Sequence, residues 1–150
     1  MLYVSFFNTL ILKKDKKICY TLKKMLDLIS KKTFNIKENF FFDTKFVNDT
    51  EIKKINNTYC KKNKTTDVLT FALYDAKKSI KTKLIGEIFI NIDAAKRDFK
   101  KNSITYYDEI KMLFVHGVLH LLGYEHKTTS EWNKMISLQK KILGYFKENE

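Results

Sequence analysis

Apolar and polar positions alternate with two different periods along the chain, and the switches between them mark out the elements. Residues 2–8 read as a strand. Over residues 15–31, Ile18, Leu22, Met25, Leu26 and Ile29 recur at three- and four-residue steps, which predicts an amphipathic helix. The aromatic run NFFFDTKFV (39–47), bounded by polar residues, predicts a strand. From Asp49 to Cys60 the pattern turns helical, with Asn48 or Asp49 as N-cap and acids in the first turn. Val68–Leu73 and Leu84–Ile92 read as strands either side of a lysine-rich loop, and Asp93–Lys100 as a short helix.

From Thr105 to Leu122 the chain is apolar nearly all round, and between Ile110 and Leu122 its only charge is Lys111. Such a helix is buried. Gly123 is placed to end it. A last helix opens at Thr128, which forms a capping box with Glu131, and runs to about Tyr145. The expected fold is α+β: one domain over residues 1–150, a mixed sheet of about four strands packed by about five helices. Nothing in the composition marks a linker, a repeat or a second domain.

Composition adds three constraints. Hydrophobic residues make up 44% of the 150, which excludes a disordered chain. The formal charge is +12, nearly all from lysine, with Arg97 the only arginine. An AT-rich genome produces such a lysine surplus as readily as a polyanionic partner does, so charge alone does not separate RNA, DNA and a membrane surface. Cys19 and Cys60 lie far apart without CxxC spacing, implying a reducing compartment and no disulfide framework. Residues 2–12 lack the basic flank and cleavage site of a signal peptide, and no apolar run reaches the ~18 residues of a membrane span. The expected location is the cytoplasm, away from membrane.

The chemistry concentrates in HGVLHLLGYEH (116–126), which holds all three histidines of the chain. His116 and His120 are four apart, hence one above the other on one helix face. Two imidazoles so placed can grip one ion at ~2.0–2.1 Å each. The bend at Gly123 lets His126 return as third ligand. Three neutral imidazoles leave a fourth position for water, as a catalytic zinc site requires, and bound zinc lowers that water's pKa to about 7. The expectation is therefore one Zn²⁺ or similar divalent ion with a metal-bound water as the catalytic group. Asp108, Glu109 and Glu125 are within reach in sequence as a fourth ligand, which would make the site structural. The HxxxHxxGxxH spacing is also that of metzincin peptidases. Those place Glu after the first histidine as general base; here Gly117 stands there, which argues against a peptidase and is expected to leave room beside the metal for a bulkier substrate.

These residues resemble the signature of the YbeY family of bacterial endoribonucleases, HGxLHLxGYDH. INNTYCKKNKTTDVLTF (55–71) is similar to that family's LNxxYRxKDxPTDVLSF, and LIGEIFIN (84–91) to its LGDIxI strand. The resemblance implies a single-strand-specific, metal-dependent endoribonuclease that matures the 3′ end of small-subunit ribosomal RNA and serves ribosome quality control. It implies ribosomal RNA and the small subunit as partners, and His116, His120 and His126 as ligands. Cys60 replaces the family's arginine, and lysine neighbours cannot reproduce a bidentate guanidinium grip on phosphate. Thr65 replaces a proline, Glu125 and Glu87 replace aspartates.

Two lysine clusters, 53–64 and 76–83, contain no acid. Lys61, Lys62 and Lys64 of the first, with Lys78 and Lys81 of the second, are expected to track RNA phosphates, both loops on one rim of the sheet. Asp67 and Glu125 are candidates to assist the chemistry as general base, or to orient an imidazole. The rival from another class is a non-catalytic RNA-binding or ribosome-assembly module whose metal only stabilises the fold; a metallopeptidase ranks lower.

Overall fold

The computed structural model describes residues 1–73 and 83–148. Four strands form one sheet: β1 (Leu2–Phe7), β2 (Phe40–Val47), β3 (Val68–Ala72) and β4 (Leu84–Asn91). Their spatial order is β1-β2-β4-β3. β1, β2 and β4 run parallel, and β3 pairs antiparallel with β4, Val68 opposite Ile90 and Ala72 opposite Gly86. The mixed sheet matches the expectation.

Among the described residues there are five α-helices: α1 (Ile18–Leu28), α2 (Asp49–Cys60), α3 (Ile92–Asp98), α4 (Tyr106–Leu121) and α5 (Thr129–Glu148). The first differs from its predicted span. A 3-10 stretch, Thr9–Asp15, precedes α1, and a single π turn, Ile29–Thr33, ends it. Apolar spacing alone does not distinguish these tighter and looser windings from an α-helix. α2 begins where Asn48 accepts from the Glu51 amide, and α4 where the Thr105 hydroxyl accepts from the Asp108 amide. Thr128 and Glu131 form the capping box, the Thr128 hydroxyl accepting from the Glu131 amide while Glu131 accepts from the Thr128 amide.

Alternation along the strands explains the layers. Val4, Phe42, Ile88 and Ile90 face a large core shared with Leu22 and Met25 of α1, Phe114 and Val118 of α4, and Met135 and Ile142 of α5. Val47 and Phe89 face the other way and pack against Ile52 of α2. α4 is buried along most of its length, which makes it a rigid mount for side chains at its C-terminal half. No helix among the described residues is long and apolar enough to cross a membrane.

Candidate metal centre

α4 ends in a Schellman turn. The Tyr124 amide donates to the Leu119 carbonyl at 3.0 Å and the Gly123 amide to the His120 carbonyl at 3.0 Å, with Gly123 at φ +98°. A side chain at that φ is strained, so glycine belongs there. The turn carries His126 back beside the helix. One ring nitrogen from each of His116, His120 and His126 lies within 4.8 Å of the others. Ring centroids are 4.7 Å apart for His116 and His120, 4.8 Å for His120 and His126, and 5.6 Å for His116 and His126. The first two rings are half-buried and His126 is exposed.

The hydrogen bonds fix which nitrogens face inward. A carbonyl only accepts, so His120 Nδ1–H must donate to the Tyr124 carbonyl, 2.8 Å away. His116 Nδ1–H likewise donates to Oε1 of Gln139 at 3.1 Å. Both Nε2 atoms are then lone-pair nitrogens, and they face one another at 3.1 Å. With both Nδ1 protons so placed, the two Nε2 lone pairs converge, an arrangement that could hold a cation between them. Two nitrogens at 2.0–2.1 Å from one tetrahedral ion sit about 3.3 Å apart, close to what is found. Burial is the main force lowering both pKa values, with mutual repulsion adding for His116, so both rings stay neutral and available as ligands. The donor set fits a zinc-type ion. Among the described residues no carboxylate or thiolate joins the cluster, so the expected fourth-ligand candidates do not close the shell. Glu109 lies seven residues up α4 from His116, roughly 10 Å along the axis, and accepts instead from Asn102.

The family profile described as Endoribonuclease YbeY matches residues 9–147. The chain belongs to the YbeY endoribonuclease family. An Endoribonuclease YbeY from Ureaplasma parvum is 36% identical over 133 residues, covering 89% of this chain and 84% of the relative. One from Acholeplasma laidlawii is 41% identical over 110 residues, 73% of this chain and 77% of that protein. The solution structure of TM1509 from Thermotoga maritima superposes with a TM-score of 0.63 at 25% identity, covering 99% of this chain and 93% of the other.

Two expectations about this YbeY site change with the structure. Gly117 does not open space beside the histidines. A Cβ there would lie 2.8 Å and 2.9 Å from two carbons of Ile88, so glycine lets α4 sit directly on β4. Neither Asp67 nor Glu125 orients a ring. Asp67 is half-buried and accepts from the Thr66 hydroxyl at 3.5 Å, and Glu125 is exposed; the orienting partners are Gln139 and the Tyr124 carbonyl. The two carboxylates are nevertheless close enough for their charge to favour protonation of His116 and His120 respectively. The rim expected to carry both lysine clusters involves residues outside those described. Lys61, Lys62 and Lys64 lie on the segment that leads into β3 at Val68. Lys78 and Lys81 themselves lie outside the described residues.

The first lysine loop is held firmly. Lys61 closes α2 at φ +55°, and buried Asn56 donates to the Lys64 carbonyl at 2.9 Å. All three lysines are exposed. Cys60, in the place of the family's arginine, is exposed beside them. Sequence reasoning missed Gln139 and Trp132, both on α5. Trp132 stands edge-on to His126 with centroids 5.5 Å apart. The only signal was a glutamine on the apolar face of a helix.

Proposed function

We propose that the chain is one YbeY-like unit over residues 1–150 that cleaves single-stranded RNA with a zinc-type ion held by His116, His120 and His126. Membership of an endoribonuclease family makes hydrolysis of RNA phosphodiester bonds its activity. The substrate within that class is ribosomal RNA, at the 3′ end of the small-subunit species and in ribosome quality control, in the cytoplasm. The observation carrying the metal reading is the pair of lone-pair Nε2 atoms turned to each other at 3.1 Å.

When bound, the ion supplies a Lewis acid that polarises a phosphoryl oxygen and acidifies water to near neutrality. The protein's own residues do the rest. Gln139 and the Tyr124 carbonyl hold His116 and His120 in one tautomer. Lys61, Lys62 and Lys64 present three cations from a fixed loop to the phosphate backbone, with Lys78 and Lys81 of the second cluster extending that track. Asp67, upstream of the cluster, and Glu125, next to His126 within it, are the groups available to take or return a proton.

A labelled single-stranded RNA and its duplex, incubated with wild type and His116→Ala, with and without chelator, test the reading. Cleavage of the single strand alone, lost on chelation and restored by zinc, is expected. Cleavage that survives both chelation and His116→Ala overturns it. A His116→Ala protein that loses its fold along with its metal would favour the structural-metal alternative.

A further inference from the structure

α5 turns an otherwise apolar face to the core, with Met135, Ile142 and Phe146 all buried. Gln139 is the exception. It is 6% exposed and, among the described residues of α5, the one buried polar side chain. Burying a carboxamide costs about 1–3 kcal/mol unless it is bonded, and the bond it makes is to Nδ1 of His116, 23 residues away. Seven residues earlier, two helical turns along the same face, Trp132 meets His126. One helix therefore backs two of the three rings.

We propose that Gln139 is a positioning residue for metal capture. Its Oε1 selects the His116 tautomer with Nδ1 protonated and Nε2 turned toward His120. The inference rests on the metal reading above and goes beyond the ligand set. An imidazole that rotates about its Cβ–Cγ bond exchanges the edges it presents, so a neutral ring with no acceptor behind it offers its lone pair in the wrong direction part of the time. An acceptor fixed on a packed helix removes that freedom before any ion arrives, and it raises the basicity of the opposite nitrogen. A carboxamide does this without adding charge; a carboxylate at the same place would do it more strongly.

The test measures zinc affinity by competition with a chromophoric chelator, for wild type, Gln139→Leu, Gln139→Glu and His116→Ala, with folding of each checked by circular dichroism. Gln139→Leu is expected to bind zinc 10- to 100-fold more weakly than wild type. Gln139→Glu, which keeps an acceptor in place, is expected to equal or exceed wild type. A loss of packing alone would not be rescued by Glu. If Gln139→Leu does not fold, Gln139→Met takes its place. The proposal is overturned if the apolar variant binds within twofold of wild type, or if Gln139→Glu is as weak as it. A wild type that binds no more tightly than His116→Ala overturns the underlying metal reading as well; a tight wild type with an equally tight Gln139→Leu overturns the positioning role alone.

Discussion

Gly117→Ala is the change that most directly weighs the packing behind the site. In an isolated helix, Ala in place of Gly stabilises by about 1 kcal/mol. Here the added methyl would sit 2.8 Å from Cγ2 and 2.9 Å from Cδ1 of Ile88, a residue with no exposure at the centre of β4. Cγ2 branches next to the backbone and cannot swing clear, so α4 or β4 must shift. Overpacking of this kind costs about 1–3 kcal/mol. The net expectation in the natural background is a loss of roughly 0–2 kcal/mol, where a helix-propensity argument alone predicts a gain. The same substitution in an Ile88→Ala background is relieved of its three nearest contacts, all from Ile88, and should stabilise by about 1 kcal/mol. The coupling between the two positions is then about 1–3 kcal/mol, within reach of a double-mutant cycle read by urea unfolding. Additivity within 0.5 kcal/mol, or a gain of ~1 kcal/mol in both backgrounds, would refute the claim that glycine is there for contact between α4 and β4. Because His116 adjoins Gly117, zinc affinity followed in parallel should fall in Gly117→Ala and recover in the double variant.

Other consequences concern the elements that frame the site. Asn91 has no exposure, caps α3 by accepting from the Asp93 amide at 3.0 Å, and donates to Asp49 at 2.8 Å and to the Thr66 carbonyl at 3.0 Å. Asn91→Ala should cost about 2–4 kcal/mol in urea unfolding, and a cost below 1 kcal/mol would mean these bonds are replaced by water. The Arg97 guanidinium and the Asn91 amide hold the Asp49 carboxyl below the ordinary carboxylate range. A depressed folded pKa stabilises above the unfolded value, near 3.9, and the contribution disappears as pH falls through the folded one. The stability gap between wild type and Asp49→Asn should thus be constant from pH 7 to 5 and close below pH 4; a gap that persists at pH 2 contradicts the ion pair. Replacing Lys61, Lys62 and Lys64 with Gln should reduce the magnitude of the log–log salt slope of single-stranded RNA binding by about 0.7 for each phosphate that is no longer neutralised. An unchanged slope removes this loop from the RNA surface.

What was legible in the sequence and what was not divides along a physical line. Features that one segment specifies by itself were readable. The aromatic run at 39–47 favours a strand and forms one, Asn48 of the two candidates caps α2 by accepting from Glu51, and the Thr128–Glu131 box opens α5 as expected. The histidine cluster belongs to the same kind, because a four-residue step and a glycine bend are local geometry. The orienting contacts are of the other kind. Which residue faces His116 depends on where α5 crosses α4, a matter of packing that no single segment encodes, so Glu125 beside a ligand and Asp67 in the TDVLTF block stood as candidates where Gln139 and the Tyr124 carbonyl make the bonds. Gly117 was misread for the same cause. Its missing side chain looked like an opening toward substrate because the sequence names the residue but not the neighbour, and the neighbour is a strand nearly thirty residues earlier. A glycine on a buried helix therefore leaves two opposite possibilities, a cleft or a close contact, and only the identity of the atom facing its Cα decides between them. At Gly117 that atom is carbon from Ile88, which ties the spacing of the first two histidines to the sheet beneath them and makes β4 part of the site's support.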